Sequence, residues 1–463
     1  MTDRLTSGTV RLDSVLDGGL PRDAICLIIG LPGSGKTILA QQCAFANATP
    51  DRPAVYLSTV SEPLEKILRY GHSLSFFDAS AVGTSIFYDD LGRVLHDQGL
   101  AGVLDRVRDL IRTHRPGIIA IDSFKALHPY AKETSEFRRF LHDLAGMLSA
   151  YPVTSLWIGE YGGAEIAAAP EFAVADAIIA LETNRTGQRE SRQLHVLKLR
   201  GSAYMSGKHS YRVSADGLIV FPRLADPRQT DTYSLSRTRI SSGIDALDDM
   251  LAEGYWPGAA TLVAGPTGIG KTLMGLHFVF GGVSQGEHGL VATLQEDPTQ
   301  LARIARAFGW SLTDDNVTLM HRSPVDLHLD EWVYELLDQT ETAGATRVLI
   351  DSLSDLQSAS PDVTRFREYT YSLVHRFSRR GVSLMMTYEV PQLFGLATLT
   401  EYGASHLSDN VVLLQYRGID STVARTITIL KTRGSLHDPR VQEFHITTDG
   451  IVLAKPATSR DID

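Results

Sequence analysis

Residues 6–45 read TSGTVRLDSVLDGGLPRDAICLIIGLPGSGKTILAQQCAF, and residues 241–280 read SSGIDALDDMLAEGYWPGAATLVAGPTGIGKTLMGLHFVF. The same features recur in the same order: Ser-Gly, Leu-Asp, a turn with Gly and Pro, an apolar run, GxxxxGKT, and an apolar helical stretch. Lys36 and Lys271 are 235 residues apart. That offset is too long for a solenoid repeat and fits a duplicated domain. The polar stretch LADPRQTDTYSLS at 224–236 marks the junction. We therefore expect domains at 1–224 and 237–463, joined by a short linker over 225–236 that keeps them close.

Working outward, apolar strand-like runs stand at 26–29, 54–57, 118–121 and 156–158, and again at 261–264, 290–293, 348–350 and 384–386. Buried apolar runs separated by amphipathic stretches predict, in each half, an α/β fold with a mainly parallel sheet flanked by helices. Segments 193–199 and 426–431 read as extra strands or hairpins closing each half.

Both GxxxxGKT stretches lie between a strand-like run and a helix, the context that marks a phosphate loop. Gly30, Gly33, Ser34 and Gly35, and in the second half Gly265, Thr267, Gly268, Ile269 and Gly270, would turn backbone N–H groups toward nucleotide phosphates at a helix N-terminus. Lys36 and Lys271 would reach the β- and γ-phosphates, and Thr37 and Thr272 would ligate Mg²⁺. Each half also has an apolar strand ending in Asp-Ser, at Asp122 and Asp351, where a carboxylate can hold the metal or its water. ATP and Mg²⁺ are the implied cofactors.

Between these motifs each half has a strand followed by an acid, Glu62 and Glu296. Either can orient the water that attacks the γ-phosphate, or can serve as a helix N-terminal acid stabilised by the dipole. A third repeat reads KxRGS: Lys198-Leu199-Arg200-Gly201-Ser202 and Lys431-Thr432-Arg433-Gly434-Ser435. Its two cations project to one side of a strand, and its recurrence beside two phosphate loops favours a phosphate contact over a solvated basic strand end.

The 463 residues are 43% apolar and 21% charged, with a net charge of −10. That is an ordinary globular composition, and it argues against nucleic-acid binding as the main activity. Cys26 and Cys43 form no metal or disulfide pattern and suit a reducing cytoplasm. No membrane-length apolar run and no signal peptide are seen.

Together the Ser-Gly and Leu-Asp lead-in, GKT, the strand-end Asp-Ser and KxRG resemble the KaiC branch of RecA-like ATPases, over nearly the whole chain. The resemblance implies tandem RecA-like domains in a homohexamer of two stacked rings, with nucleotide between subunits. It places Lys198, Leu199, Arg200, Lys431, Thr432, Arg433 and His437 against a neighbour's nucleotide. Tyr204 replaces a histidine of clock members. Clock members carry Glu-Glu after the second strand of each half. Here the second half reads Gln295-Glu296, and the first reads Ser61-Glu62 with a one-residue gap or Val60-Ser61 without it. The phosphoacceptor positions fall on Ser405, His406 and Thr400, and the chain ends soon after Ile451 without the tail to which the partner KaiA docks. The expected function is a regulatory or signalling ATPase with an unidentified protein partner and no membrane. Two alternatives stay open: a nucleic-acid motor or accessory like DnaB or RadA, and a nucleotide-gated scaffold with negligible turnover.

Overall fold

The computed structural model describes residues 4–59, 64–166, 168–186, 189–224, 238–325, 327–360, 362–390, 407–419 and 422–454. The chain divides into two compact units, Met1–Arg223 and Leu224–Asp463. The expected linker, 225–236, lies outside the described residues.

In the first unit the strands are β1 (Ile25–Gly30), β2 (Ala54–Ser58), β3 (Ile86–Asp90), β4 (Ile118–Asp122), β5 (Thr154–Gly159), β6 (Ala177–Thr186), β7 (Arg189–Leu199), β8 (Lys208–Ser214) and β9 (Gly217–Phe221). In the second they are β10 (Ala260–Gly265), β11 (Gly289–Thr293), β12 (Val317–His321), β13 (Arg347–Asp351), β14 (Ser383–Glu389), β15 (Asn410–Ile419), β16 (Thr422–Thr432), β17 (Gln442–Thr447) and β18 (Gly450–Leu453). Apart from a short two-stranded ladder of Arg4–Leu5 with Leu20–Pro21 in the first unit, the described strands of each unit form one nine-stranded sheet, in the order β9-β8-β7-β6-β1-β5-β4-β2-β3 and, matching it, β18-β17-β16-β15-β10-β14-β13-β11-β12. Neighbours from β6 through β1 to β3 pair in parallel, and the β6–β9 edge is antiparallel. The segments at 193–199 and 426–431 belong to the long hairpins β6–β7 and β15–β16.

Both faces of each sheet are covered, which is why the central strands read as unbroken apolar runs. In the first unit Cys26, Ile28, Tyr56 and Ile158 pack with the helix Lys36–Asn47, while Leu27, Ile29, Leu57 and Trp157 face the opposite cluster with the helices Gly92–His114 and Thr134–Ser149. Cys26 and Cys43 are buried and free, and burial pushes the Cys26 thiol up to about 12. No described helix is long and apolar enough to cross a membrane.

The lead-in has a structural reason in both halves. Asp13 Oδ1 accepts the Ser7 N–H at 2.6 Å, and Asp248 Oδ1 accepts that of Ser242 at 2.7 Å, so the Leu-Asp acid closes the Ser-Gly turn. Gly243 has φ +81°, and a Cβ there would stand 2.1 Å from His277 O. One side chain on the helix after each phosphate loop then ties this turn to the last strand. Gln42 Oε1 accepts the Leu218 N–H at 2.9 Å and its amide donates to Gly8 O at 3.4 Å. His277 Nε2 accepts the Ile451 N–H at 3.0 Å and Nδ1 donates to Gly243 O at 3.2 Å.

This geometry requires neutral His277, and burial lowers its pKa below the ordinary 6.5. The unfolded chain therefore takes up the proton first on acidification, so the stabilisation is present above about pH 6.5 and is lost as pH falls from there through the lower folded value. His277→Gln offers the same donor and acceptor without titrating. It should flatten the loss of second-unit stability between pH 7.5 and 5.5 in urea unfolding, whereas His277→Ala should cost about 2 kcal/mol or more already at pH 7.5.

Candidate nucleotide sites

Each site begins where the central strand stops. β1 delivers Gly30, Gly33 and Gly35 turn the chain with φ of +76° and +93°, and Lys36 opens the helix Lys36–Asn47. Gly268 and Gly270 repeat this at +74° and +118° ahead of Lys271. Ser34 and Ile269 are both buried beneath the loop, so these positions offer backbone rather than side chains to a ligand. Lys36 Nζ donates to Leu31 O and Lys271 Nζ to Pro266 O, each at 2.9 Å. Burial holds both ammonium groups below their ordinary pKa, partly offset by Glu160 and Asp122 for Lys36 and by Glu389 and Asp351 for Lys271.

The strand-end aspartates meet the loop threonines. Thr37 Oγ1 donates to Asp122 Oδ2 at 2.7 Å, and Thr272 Oγ1 to Asp351 Oδ2 at 2.8 Å. A hydroxyl and a carboxylate side by side at a phosphate loop are the hard oxygen donors that Mg²⁺ takes, with phosphate oxygens and water completing its shell. The residues thus fit a magnesium nucleotide in both halves. Each aspartate also has a second hydroxyl partner that the sequence reading missed: Tyr56 donates to Asp122 Oδ2 at 2.7 Å, and Thr387 donates to Asp351 Oδ1. Burial raises the Asp351 pKa, against which the Thr387 and Thr272 hydrogen bonds and Lys271 act. In the first half a cavity of about 640 Å³ opens from Lys36, Thr37 and Asp122 past Gln41 to Tyr70 and Leu74.

Glu296 is half-buried. It lies three residues past Thr293, which pairs with Asp351 across β11 and β13, so it stands at the same edge as the aspartate. The N-cap of the following helix is Asp297, whose Oδ1 accepts the Thr299 N–H at 2.8 Å, so capping does not require Glu296. Glu62, Ser405, His406 and Thr400 lie outside the described residues.

The KxRGS segments sit elsewhere. Leu199 pairs with Ala177, and Ala177 with Cys26 near the start of β1, so Lys198 and Arg200 lie at the opposite end of the sheet from their own phosphate loop. Thr432 pairs with Asn410, and Asn410 with Thr261 near the start of β10. The cations are held there by their own unit. Lys198 Nζ donates to Phe172 O at 3.2 Å, and Arg200 Nη1 to Asp176 Oδ1 at 3.2 Å. Lys431 Nζ donates to Ser408 O at 2.7 Å, and Arg433 lies 3.7 Å from Asp409. Leu199 is buried, while Thr432 meets His437 Nδ1 at 3.0 Å. The motif serine has a structural role, because Arg4 donates to Ser202 and Arg239 to Ser435.

A family model described as "ATPase: KaiC" matches this chain twice, over residues 5–225 and 240–458. The chain belongs to the KaiC ATPase family. Among its relatives are the circadian clock protein KaiC3 of Synechocystis, 29% identical over 98% of this chain and 92% of that protein, and the circadian clock oscillator protein KaiC of Picosynechococcus, 28% identical over 96% of this chain and 88% of that one. The KaiC of Thermosynechococcus vestitus is 29% identical over 95% and 86%. Family membership makes this a nucleotide-binding P-loop ATPase with two tandem RecA-like domains.

The two KaiC units differ in what holds the aspartate, and this can be measured. Thr387→Val leaves buried Asp351 with one donor fewer, which raises its carboxyl further and weakens it as a cation ligand. The Mg²⁺ concentration that half-saturates second-half nucleotide binding should rise about tenfold, the scale of one hydrogen bond to a charged group. First-half binding should not change, and equal Mg²⁺ dependence in mutant and parent would refute this role for Thr387.

Proposed function

We propose that this chain hydrolyses Mg-ATP at sites completed by a neighbouring copy in a closed ring, most simply a homohexamer of two stacked layers, and that nucleotide state controls a protein partner. The observation that carries this reading is the placement of KxRG. Among the described residues each P-loop site brings its own lysine, threonine and aspartate but no arginine for the charge that develops on the transferred phosphate, a group often delivered in trans. Lys198 and Arg200, and Lys431 and Arg433, lie at the far end of the P-loop strand from their own loop, and in this proposal they exchange contacts within their own unit for a neighbour's nucleotide. A contact between unlike ends repeats head to tail and closes by rotation.

In this proposal Lys36 and Lys271 bind the β- and γ-phosphates, and Thr37 with Asp122 and Thr272 with Asp351 hold the metal, which neutralises phosphate charge when bound. Glu296 orients the attacking water in the second half and Glu62 in the first. The net charge of −10 disfavours a nucleic-acid motor. With Gln295 in place of a carboxylate base, little phosphorylation of Ser405 or Thr400 is expected. The relatives named as clock proteins support a regulatory role.

Lys36→Ala and Lys271→Ala should each remove nucleotide from one site per chain, counted on purified protein, and undiminished occupancy in either would overturn that site. Glu296→Gln should lower turnover about 10²-fold while nucleotide stays bound. For the trans contact, Arg433→Ala and Lys271→Ala subunits should each be weak alone in second-half turnover. After subunit exchange at equal amounts, about a quarter of the interfaces join an intact loop to an intact arginine, so turnover should exceed the sum of the two. Mixtures with confirmed exchange that never exceed that sum would rule out the trans arginine.

A further inference from the structure

One acidic position recurs at both sites and belongs to none of the motifs. Ile29 pairs with Gly159 across β1 and β5, so Glu160 emerges beside Gly30, the first residue of the phosphate loop. In the second unit Gly265 itself pairs with Glu389 across β10 and β14. The shared topology thus sets a carboxylate at the phosphate end of each loop. Glu160 Oε1 lies 3.8 Å from Lys36 Nζ; the lysine side chain is 8% exposed and the glutamate 53%. Glu160 also lines the cavity with Lys36, Thr37 and Asp122. In the second unit Thr267, within the loop, donates its hydroxyl to Glu389, and the Glu389 N–H is anchored on Ser354 Oγ at 2.8 Å. Glu389 is also the largest electrostatic support of Lys271 against burial, ahead of Asp351.

A carboxylate facing the lysine that should take the γ-phosphate is unfavourable for a triphosphate: the two anions compete for one cation and repel each other across it. Without nucleotide, however, it compensates a largely buried ammonium group. A diphosphate stops short of that position and leaves the pair less disturbed. We propose that Glu160 and Glu389 set each site's preference between nucleoside triphosphate and diphosphate, acting as counter-ions that occupy the place of the γ-phosphate and are displaced when it arrives. This rests on the reading of the two P-loops as nucleotide sites and adds a specificity residue to each.

The test uses the full chain, stripped of nucleotide, with Mg²⁺. Lys271→Ala isolates the first site, and binding of adenosine 5′-(β,γ-imido)triphosphate and of ADP is titrated separately. Adding Glu160→Gln, which keeps shape and removes charge, should tighten the triphosphate analogue about fivefold or more, a modest value because the carboxylate is half-exposed and screened. ADP affinity should stay within about twofold on the same reasoning. Glu160→Asp keeps the charge and should leave the preference near the parent's, which separates charge from a packing change. Glu389→Gln in the Lys36→Ala background should shift the second site the same way. Equal tightening of both nucleotides, no change, or weaker triphosphate binding would overturn the proposal, the last by making the glutamate a ligand of the magnesium nucleotide. If the parent chain binds neither nucleotide above the Lys36→Ala, Lys271→Ala double variant, the P-loop reading falls first and this inference with it.

Discussion

The parallel register of the central strands is the constraint on which both sites depend. In the first unit Asp122 is level with Ile158 and Ile158 with Ile28, so the aspartate, the phosphate loop and Glu160 all leave the sheet along one edge. Burial on both faces enforces this: Leu27 and Trp157 belong to one core cluster, Ile28 and Ile158 to the other. A slip of one residue would exchange the faces of a whole strand and separate Thr37 from Asp122. The chemistry at the edge is therefore maintained by packing in the interior. Ligands of open α/β sheets gather at this same edge, the carboxyl end of the strands.

On that shared frame the two halves differ in the groups just behind the first contacts. The tie between lead-in turn and last strand is an amide in one unit and an imidazole in the other. The aspartate is held by a phenol from β2 in one and by a threonine from β14 in the other. The acid at the loop meets the lysine in the first unit and a loop threonine in the second. The loop backbone and its lysine, threonine and aspartate are common to both units, while the groups around them differ.

The parts legible in the sequence were those with a local signature. Strands buried on both faces are continuous apolar runs, and a glycine-rich turn before a helix carries its own spacing. The outer strands Ile86–Asp90 and Val317–His321 escaped notice because they are half-exposed and mix polar with apolar residues. Tyr56 and Thr387 could not be read either, since each acquires its role from pairing with a strand distant in the chain. A self-comparison extended past the apolar runs at 156–158 and 384–386 would have aligned Glu160 with Glu389. The KxRGS serine recurs for a structural reason: it accepts a hydrogen bond from an arginine just ahead of the Ser-Gly turn, Arg4 or Arg239. Linker, Glu62, Ser405 and Thr400 fall outside the described residues.

The Gln42 and His277 ties also bear on how such a chain can arise. Each joins a turn at the beginning of its unit, Gly8 or Gly243, to a strand at the end, Leu218 or Ile451. The two ends of each unit therefore converge on one helix residue. A domain whose termini meet can be copied head to tail in a gene with only a brief connecting segment, because neither end must cross the molecule to reach the next copy. Duplication then costs little in folding, and each copy is free to drift in the residues behind its active edge.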